Sequence, residues 1–349
     1  MPCLPKFRLL ALLIAVAALF ASLPAAAQAT LVFSRNPLNP VVFKANDNGS
    51  GVQRIGPGFN PRISPDGETI VFFRGGNGRK QKPELMAVAT AGGPVRKLAS
   101  NWQDNFIFAW SPDSQTVATP IGPELGKQRL TTINVVSGAQ HTVAGGSFNG
   151  VSFSPENPSE LVYGRAPDEN YPPLTNVFRA SLSDGGTVQL TKDRRSEAPL
   201  WGPGGKVVFV KLVNAKGRKY GPKNELFTMS PTGTGVKRLT RTKVDPLTVG
   251  LSPTDWSASG NQLLTEYGGQ DTSYAVTVNP QTGAQKPLEK NGNGEQGFVG
   301  TALSADGKTV LGFTGGFEPG PNHNAATVPY AGGKLKVLVH NAFEPDWSR

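Results

Sequence analysis

Ile63-Ser64-Pro65-Asp66-Gly67, followed by Thr69-Ile70-Val71-Phe72-Phe73, decides the fold, because the chain keeps returning to it. It recurs as Trp110-Ser111-Pro112-Asp113-Ser114, Phe153-Ser154-Pro155-Glu156-Asn157 and Trp201-Gly202-Pro203-Gly204-Gly205. Weaker copies are Trp256-Ser257-Ala258-Ser259-Gly260 and Leu303-Ser304-Ala305-Asp306-Gly307, and Trp347-Ser348-Arg349 begins another. The spacing is that of a repeat architecture, ~40–50 residues per unit. Each copy has a local logic: a large apolar residue ends a strand, Ser bonds the turn backbone, Pro presets φ, and Asp and Gly tolerate the corner.

After each turn the chain enters a run rich in β-branched and aromatic residues, such as Lys206-Val207-Val208-Phe209-Val210 or Thr309-Val310-Leu311-Gly312-Phe313. A second hairpin follows. Glu84 to Val88 leads through Ala91-Gly92-Gly93 to Val95 to Leu98, and Val177 to Leu182 leads through Asp184-Gly185-Gly186 to Val188 to Thr191. Four strands per unit, repeated around an axis, is the plan of a β-propeller blade.

The repeat resembles the TolB-type, or WD-like, propeller repeat: an aromatic-Ser-Pro-Asp-Gly turn, an apolar strand, an Asp-Gly turn and a Leu-Thr ending. The resemblance covers essentially everything after residue 29 and implies a fold rather than an activity. The chain departs from it where Glu156 and Ser259 take the Asp slot and Ala258 and Ala305 the Pro slot, so those turns are expected to be looser.

Six complete units begin near Phe59, Asn105, Asn149, Glu197, Gly250 and Phe298. Two fragments remain. Leu31 to Arg35, Val41 to Ala45 and Val52 to Ile55 read as second, third and fourth strands; Phe343 to Ser348 reads as an inner strand without a successor. Together they make a seventh blade. The expectation is an all-β, seven-bladed propeller of four-stranded blades, its ring closed by the C-terminal inner strand joining the N-terminal strands, with six blades as the alternative. Closure removes sheet edges that invite aggregation.

Residues 1–29 read as a secretory signal peptide: Lys6 and Arg8, an uncharged apolar run from Leu9 to Leu23, then Ala27-Gln28-Ala29 as the cleavage pattern. The run is shorter than the ~20 residues of a spanning helix, so no stable membrane span is expected. Residues 30–349 are then one propeller domain, secreted or periplasmic after cleavage near Ala29. Cys3, the one cysteine, falls in the leader, which excludes disulfides, zinc–cysteine sites and thiol nucleophiles from the remainder. The formal charge of +10 is only slightly reduced by loss of the leader. Such a surface favours anionic partners. The partners expected here are a protein or an anionic cell-envelope polymer, not nucleic acid, met by a monomer.

Propellers bind at the channel mouth, on the face opposite the Ser-Pro-Asp-Gly turns. The long loops there are basic: Arg74 to Pro83 carries Arg79, Lys80 and Lys82, and Lys211 to Lys223 carries Lys216, Arg218, Lys219 and Lys223. The blade links add Lys192, Arg194 and Arg195, then Arg241 and Lys243. Tyr220 and Tyr171, each close to proline, are candidate rigid contacts. Catalytic signals are poor. His141, His323 and His340 sit at unrelated repeat positions; the first and last fall at outer strands, and His323 is expected in a solvated loop beside Glu318. No Gly-x-Ser-x-Gly elbow is present. Asp104, Glu197 and Glu344, with Asn60 and Asn149, are candidates to line the channel. No cofactor is expected, though a channel calcium ion stays open, since it needs several converging oxygens. The recurrent Trp110, Trp201, Trp256 and Trp347 read as blade packing. The leading expectation is a non-catalytic binding module; its rival is a metal-dependent propeller enzyme such as a lyase or lactonase.

Overall fold

The computed structural model describes residues 29–75, 83–100, 107–122, 126–166, 174–214, 221–244, 247–269, 272–288, 297–315 and 323–348. Every regular element among them is a strand. The first group is β1 (Thr30–Arg35), β2 (Val41–Asn46) and β3 (Gln53–Pro57). The second is β4 (Phe59–Ile63), β5 (Thr69–Arg74), β6 (Glu84–Ala89) and β7 (Arg96–Ser100). The third is β8 (Ala109–Trp110), β9 (Thr116–Ile121), β10 (Gln128–Asn134) and the first part of β11 (Gln140–Phe153). The rest of β11 opens the fourth, with β12 (Glu160–Ala166), β13 (Asn176–Ser181) and β14 (Thr187–Gln189). The fifth is β15 (Ser196–Gly202), β16 (Lys206–Val213), β17 (Lys223–Met229) and β18 (Lys237–Arg238). The sixth is β19 (Thr248–Trp256), β20 (Leu263–Gly269), β21 (Ser273–Val278) and β22 (Gln285–Pro287). The seventh is β23 (Val299–Leu303), β24 (Thr309–Thr314), β25 (Asn324–Pro329) and β26 (Lys336–His340). Last, β27 (Phe343–Trp347) returns to the first group, which has the order β27-β1-β2-β3.

The expected succession of strands and the N- to C-terminal strand pairing are thus both observed, although several strand ends differ: β16 and β17 extend into the expected Lys211 to Lys223 loop, and β18 is only Lys237–Arg238. Leu31 pairs with Trp347, Val32 with Asp346 and Ser34 with Phe343, antiparallel. Two departures join groups expected to be separate. β11 is one 14-residue strand that serves as the last strand of the third group and the first of the fourth. Its pairing passes from β10 to β12 between Gly146 and Ser147, and its register shifts again near Gly150, whose φ of 152° and contact with Ala198 leave no room for a side chain: a Cβ there would lie 2.9 Å from Ala198 Cα. A single parallel pair, Asn224 with Gly250, likewise joins the fifth and sixth groups into one eight-stranded sheet. None of the sheets closes on itself.

The core lies between groups. Val32 and Val42 pack with Ile70 and Phe72 of the second group. Val71 and Phe73 pack with Val117 and Ile133 of the third, and Ala118 and Leu130 with Leu161 and Tyr163 of the fourth. Val162 and Val177 meet Val207 and Phe209; Val208 and Leu226 meet Leu251 and Val276; Leu264 and Ala275 meet Val310 and Ala326. The last cluster joins Leu311 and Ala325 back to Leu31 and Phe33. All four recurrent tryptophans belong to these clusters or pack against them, as expected of packing residues.

The repeated turn behaves as its chemistry dictates. Ser64 Oγ donates to Asp66 Oδ1 at 2.5 Å and accepts from Thr69 N at 2.9 Å, while Asp66 Oδ1 accepts from Glu68 N. Ser111 and Asp113 repeat this geometry. The substituted turns divide. With Ser259 in the Asp slot the bonds lengthen to 3.2 and 3.4 Å, and Glu156 turns outward to accept from Gly204 N of the next group. The turn at Ala305 is as tight as the parent, at 2.7 and 2.9 Å, because Ser304 and Asp306 still close it.

Candidate functional site

The strand register brings the described channel and blade-link candidates to one end of the molecule. Each first strand starts opposite the end of the second: Phe59 pairs with Phe73, Ser196 with Lys211, Val299 with Phe313. The connections between second and third strands leave from that same end, where Arg74 pairs with Glu84 and Val213 with Lys223. Successive first strands also lie level. Trp201 N donates to Ser152 Oγ (3.0 Å), Leu303 N to Asp255 Oδ2 (2.7 Å) and Ile63 N to Asp346 Oδ2 (3.0 Å), each at the same repeat position of neighbouring groups. The tight turns therefore share the opposite end.

The inner strands carry two carboxyl clusters near the loop end. Glu344 Oε2 accepts from Asn60 N at 2.7 Å and from Ser34 Oγ at 3.2 Å. Asn149 Nδ2 donates to Glu197 Oε2 at 3.3 Å and to Thr175 Oγ1 at 3.1 Å. Asn60, Ala198 and Glu344 have φ of 49°, 45° and 51°, and each precedes a proline at a register shift. Strained backbone of this kind costs of order 1–3 kcal/mol per residue and persists only where packing enforces it. Of the channel candidates, Glu197, Glu344, Asn60 and Asn149 are thus brought to this level, and Asp104 lies outside the described residues. His141 and His340 are exposed on the last strands of their groups, as expected. His323 departs from its expected solvated loop. It is 5% exposed, with Phe313 and Phe343 rings 6.1 and 5.8 Å away, because β27 covers it.

Burial pushes the Glu344 carboxyl above the usual range, against the opposing pull of Asn60 N–H, Arg62, Ser34 and His323. Burial does the same to Glu197. A carboxyl favoured in its neutral form contributes stability at low pH and loses it as the pH rises through its raised titration range. Glu344→Gln keeps an acceptor for Asn60 N–H without the buried charge. Its melting temperature is expected to gain on the parent as the pH goes from about 4 to about 8, with about 2–4 °C for each kcal/mol. Equal melting temperatures across a pH series of thermal scans would dismiss the effect.

The basic candidates are only partly assembled. Arg79, Lys80, Lys82, Lys216, Arg218, Lys219, Tyr220 and Tyr171 lie outside the described residues. The strands flanking 79–82 belong to the second group, with two groups between them and the fifth. Around the fifth group, Lys192, Arg194, Arg195, Arg241 and Lys243 are all exposed at the loop end. Arg194 N donates to Asn176 Oδ1 (2.9 Å) and Arg195 Nη1 to Asn214 Oδ1 (3.0 Å). Burial works against ionisation of Asp193, but Lys211 at 2.7 Å, Arg195 N–H and Ser196 together hold its carboxyl below the usual range. Lys223, expected in a loop, opens β17 instead. Its ammonium lies 2.7 Å from Glu225, a fully buried carboxylate that Arg238 also meets at 3.0 Å.

One regularity escaped the sequence. Arg35, Arg74, Arg165 and Lys211 each stand four residues beyond the second-strand residue that pairs with the aromatic or isoleucine ending the inner strand. Those pairs are Leu31 with Trp347, Ile70 with Ile63, Leu161 with Phe153 and Val207 with Trp201. Aligning the units on the Ser-Pro-Asp-Gly turn would have exposed it. Among the described residues no three of His, Cys, Asp and Glu converge as a metal-ligand set, and no helix is long and apolar enough to cross a membrane.

No family model and no curated protein sequence matches the chain. Solved structures do. TolB from Acinetobacter baumannii is similar at a TM-score of 0.55 and 14% identity, covering 90% of this chain and 81% of that one. The β-propeller domain of the Trilobed protease from Pyrococcus furiosus is similar at 0.62 and 15%, covering 89% and 92%. An oligogalacturonate lyase in complex with manganese is similar at 0.57 and 13%, covering 90% and 85%.

Proposed function

We propose that this chain, which has a TolB-like β-propeller fold, is an exported, non-catalytic binding module that holds a protein or an anionic cell-envelope polymer on its loop face. Residues 1–29 act as the export signal and 30–349 as one domain of seven four-stranded blades. The succession of seven hydrophobic clusters, the last leading back to β1, supports the blade number, and the β27–β1 pairing supports closure. Closed in this way, the propeller leaves its irregular loops as the part free to vary for recognition.

The observation that carries the binding reading is the exposed cationic rim of the fifth group, made by Lys192, Arg194, Arg195, Arg241 and Lys243 on the two links that bracket it. The sequence between β16 and β17 carries three more cations, Lys216, Arg218 and Lys219. A pull-down from envelope extract tests it with Lys216, Arg218 and Lys219 changed to Ala. Lys223 is left intact because it pairs with Glu225. The parent is expected to retain a partner that the variant loses by about tenfold, with capture by the parent falling as salt rises. Capture equal in both, or indifferent to salt, would overturn the reading.

The second reading, a lyase or lactonase with a metal in the channel, draws on the likeness to the lyase solved with manganese. The described residues offer no converging ligand set for such an ion. A stoichiometric, tightly held ion in purified protein would favour the enzyme.

A further inference from the structure

We propose that the seams between neighbouring strand groups, at the loop end, bind a carboxylated polysaccharide through Arg35 and Arg165, with Arg74 and Lys211 as flanking cations; this rests on the loop-face reading above. The four residues occupy one register position in the first, second, fourth and fifth groups. Side chains alternate along a strand. Each cation therefore shares a face with the residues two and four places before it: Phe33 and Leu31, Phe72 and Ile70, Tyr163 and Leu161, Phe209 and Val207. Those residues form the contact with the preceding group. Every one of the four thus crowns a seam.

The seats are built. Arg35 lies over the rings of Phe33 and Phe43, 5.3 and 5.0 Å from their centroids; Arg165 lies 5.7 Å over Phe178 and Lys211 5.4 Å over Phe227. At the seam of the third and fourth groups, Gly146 makes room, since a Cβ there would come within 3.1 Å of Arg165 Nε. Glu84 pairs with Arg74 and Asp193 with Lys211. Among the described residues no carboxylate pairs with Arg35 or Arg165, and the buried Nε of each has no acceptor. Arg35 spends one N–H on His340 O, at 3.4 Å. A guanidinium held over a ring at its Cζ still has terminal N–H groups to offer a carboxylate.

The two free seams are three groups apart, so a ligand engaging both must span the mouth and present an acid at each side. A polymer with a carboxylate on every sugar offers an acid at each repeat, so one falls within about half a repeat of each seam. Its stiff backbone also loses less freedom on binding than a flexible acidic peptide does.

Alginate is the probe, with dextran and poly-glutamate as comparisons, in affinity electrophoresis of the full chain. The parent is expected to be retarded by alginate and not by dextran, and retarded less as salt rises. Arg35→Gln/Arg165→Gln is expected to bind alginate at least tenfold more weakly, and Arg165→Gln alone several-fold. The single variant carries the test if thermal scans show the double one unfolded. Alginate binding unchanged in Arg165→Gln, or poly-glutamate bound as tightly as alginate, would overturn the proposal. Loss of alginate binding only in the Lys216, Arg218, Lys219 variant would sink the seam assignment while leaving the loop-face reading intact. A parent that ignores alginate but still captures its envelope partner would do the same.

Discussion

Truncation after Asn341 is expected to abolish cooperative unfolding near the parent's melting temperature, lowering it by tens of degrees or leaving no folded state. The removed strand holds three groups at once. β27 pairs along β1, Asp346 accepts from Ile63 N and Glu344 from Asn60 N in the second group, and Trp347 Nε1 donates to Leu303 O of the seventh. Thr301 Oγ1 donates to Pro345 O, and Thr30 N to Ser348 Oγ. Its loss uncovers Leu31, Val32 and Phe33, all at 0% exposure. At roughly 1.5–3 kcal/mol per apolar side chain and about 1 per hydrogen bond, the loss is on the order of 10 kcal/mol, comparable to a domain's whole stability. Calorimetry of the truncated protein decides the matter: an unchanged transition would mean that β27 closes nothing.

Glu225→Ala is the second large effect, expected to cost about 3 kcal/mol because it leaves the partly buried Lys223 and Arg238 and the buried donors of Thr240 and Thr242 without their acceptor. The carboxylate meets Lys223 and Arg238, accepts from Thr240 Oγ1 at 2.6 Å, and takes Thr242 N at 2.9 and 3.1 Å. It therefore fixes the link that carries Arg241 and Lys243. Adding Lys223→Met is expected to return part of the loss, since one of the stranded charges is then gone. Urea titration of the parent and the single and double variants measures both; a loss below about 1 kcal/mol in Glu225→Ala would show that solvent replaces the carboxylate.

The fold was legible because its determinants are local. Ser64, Asp66 and Gly67 close their turn within a few residues, and the same pattern marks Ser111 and Ser304, so counting units located almost every strand. The pairing of the two ends was legible too, since each fragment lacked what the other supplied. The site was less so. His323 is buried by Phe343, a residue in a different group, and nothing in its flanking sequence signals that cover. Lys223 looks like the end of a basic loop until β17 places it two residues from Glu225. The continuity of β11 depends on where Gly146 and Gly150 let the backbone turn, a property of the packing against Ala166 and Ala198 and not of the repeat. The cations at the seams become visible only when register supplies the alignment.

The pairing of β1 with β27 also fixes an order of events. Thr30 and Ser348 are bonded to each other across 318 positions of chain. At typical synthesis rates that interval takes roughly 15–60 s. Throughout it the first three strands have no lasting neighbour on one side. Any early native-like sheet made by β1, β2 and β3 would present a row of unpaired amides to other nascent chains. The cell must either keep this segment extended until residues 343–347 exist or shield its edge. Translation errors that stop the chain before Phe343 are therefore expected to leave β1 without the strand that completes its sheet.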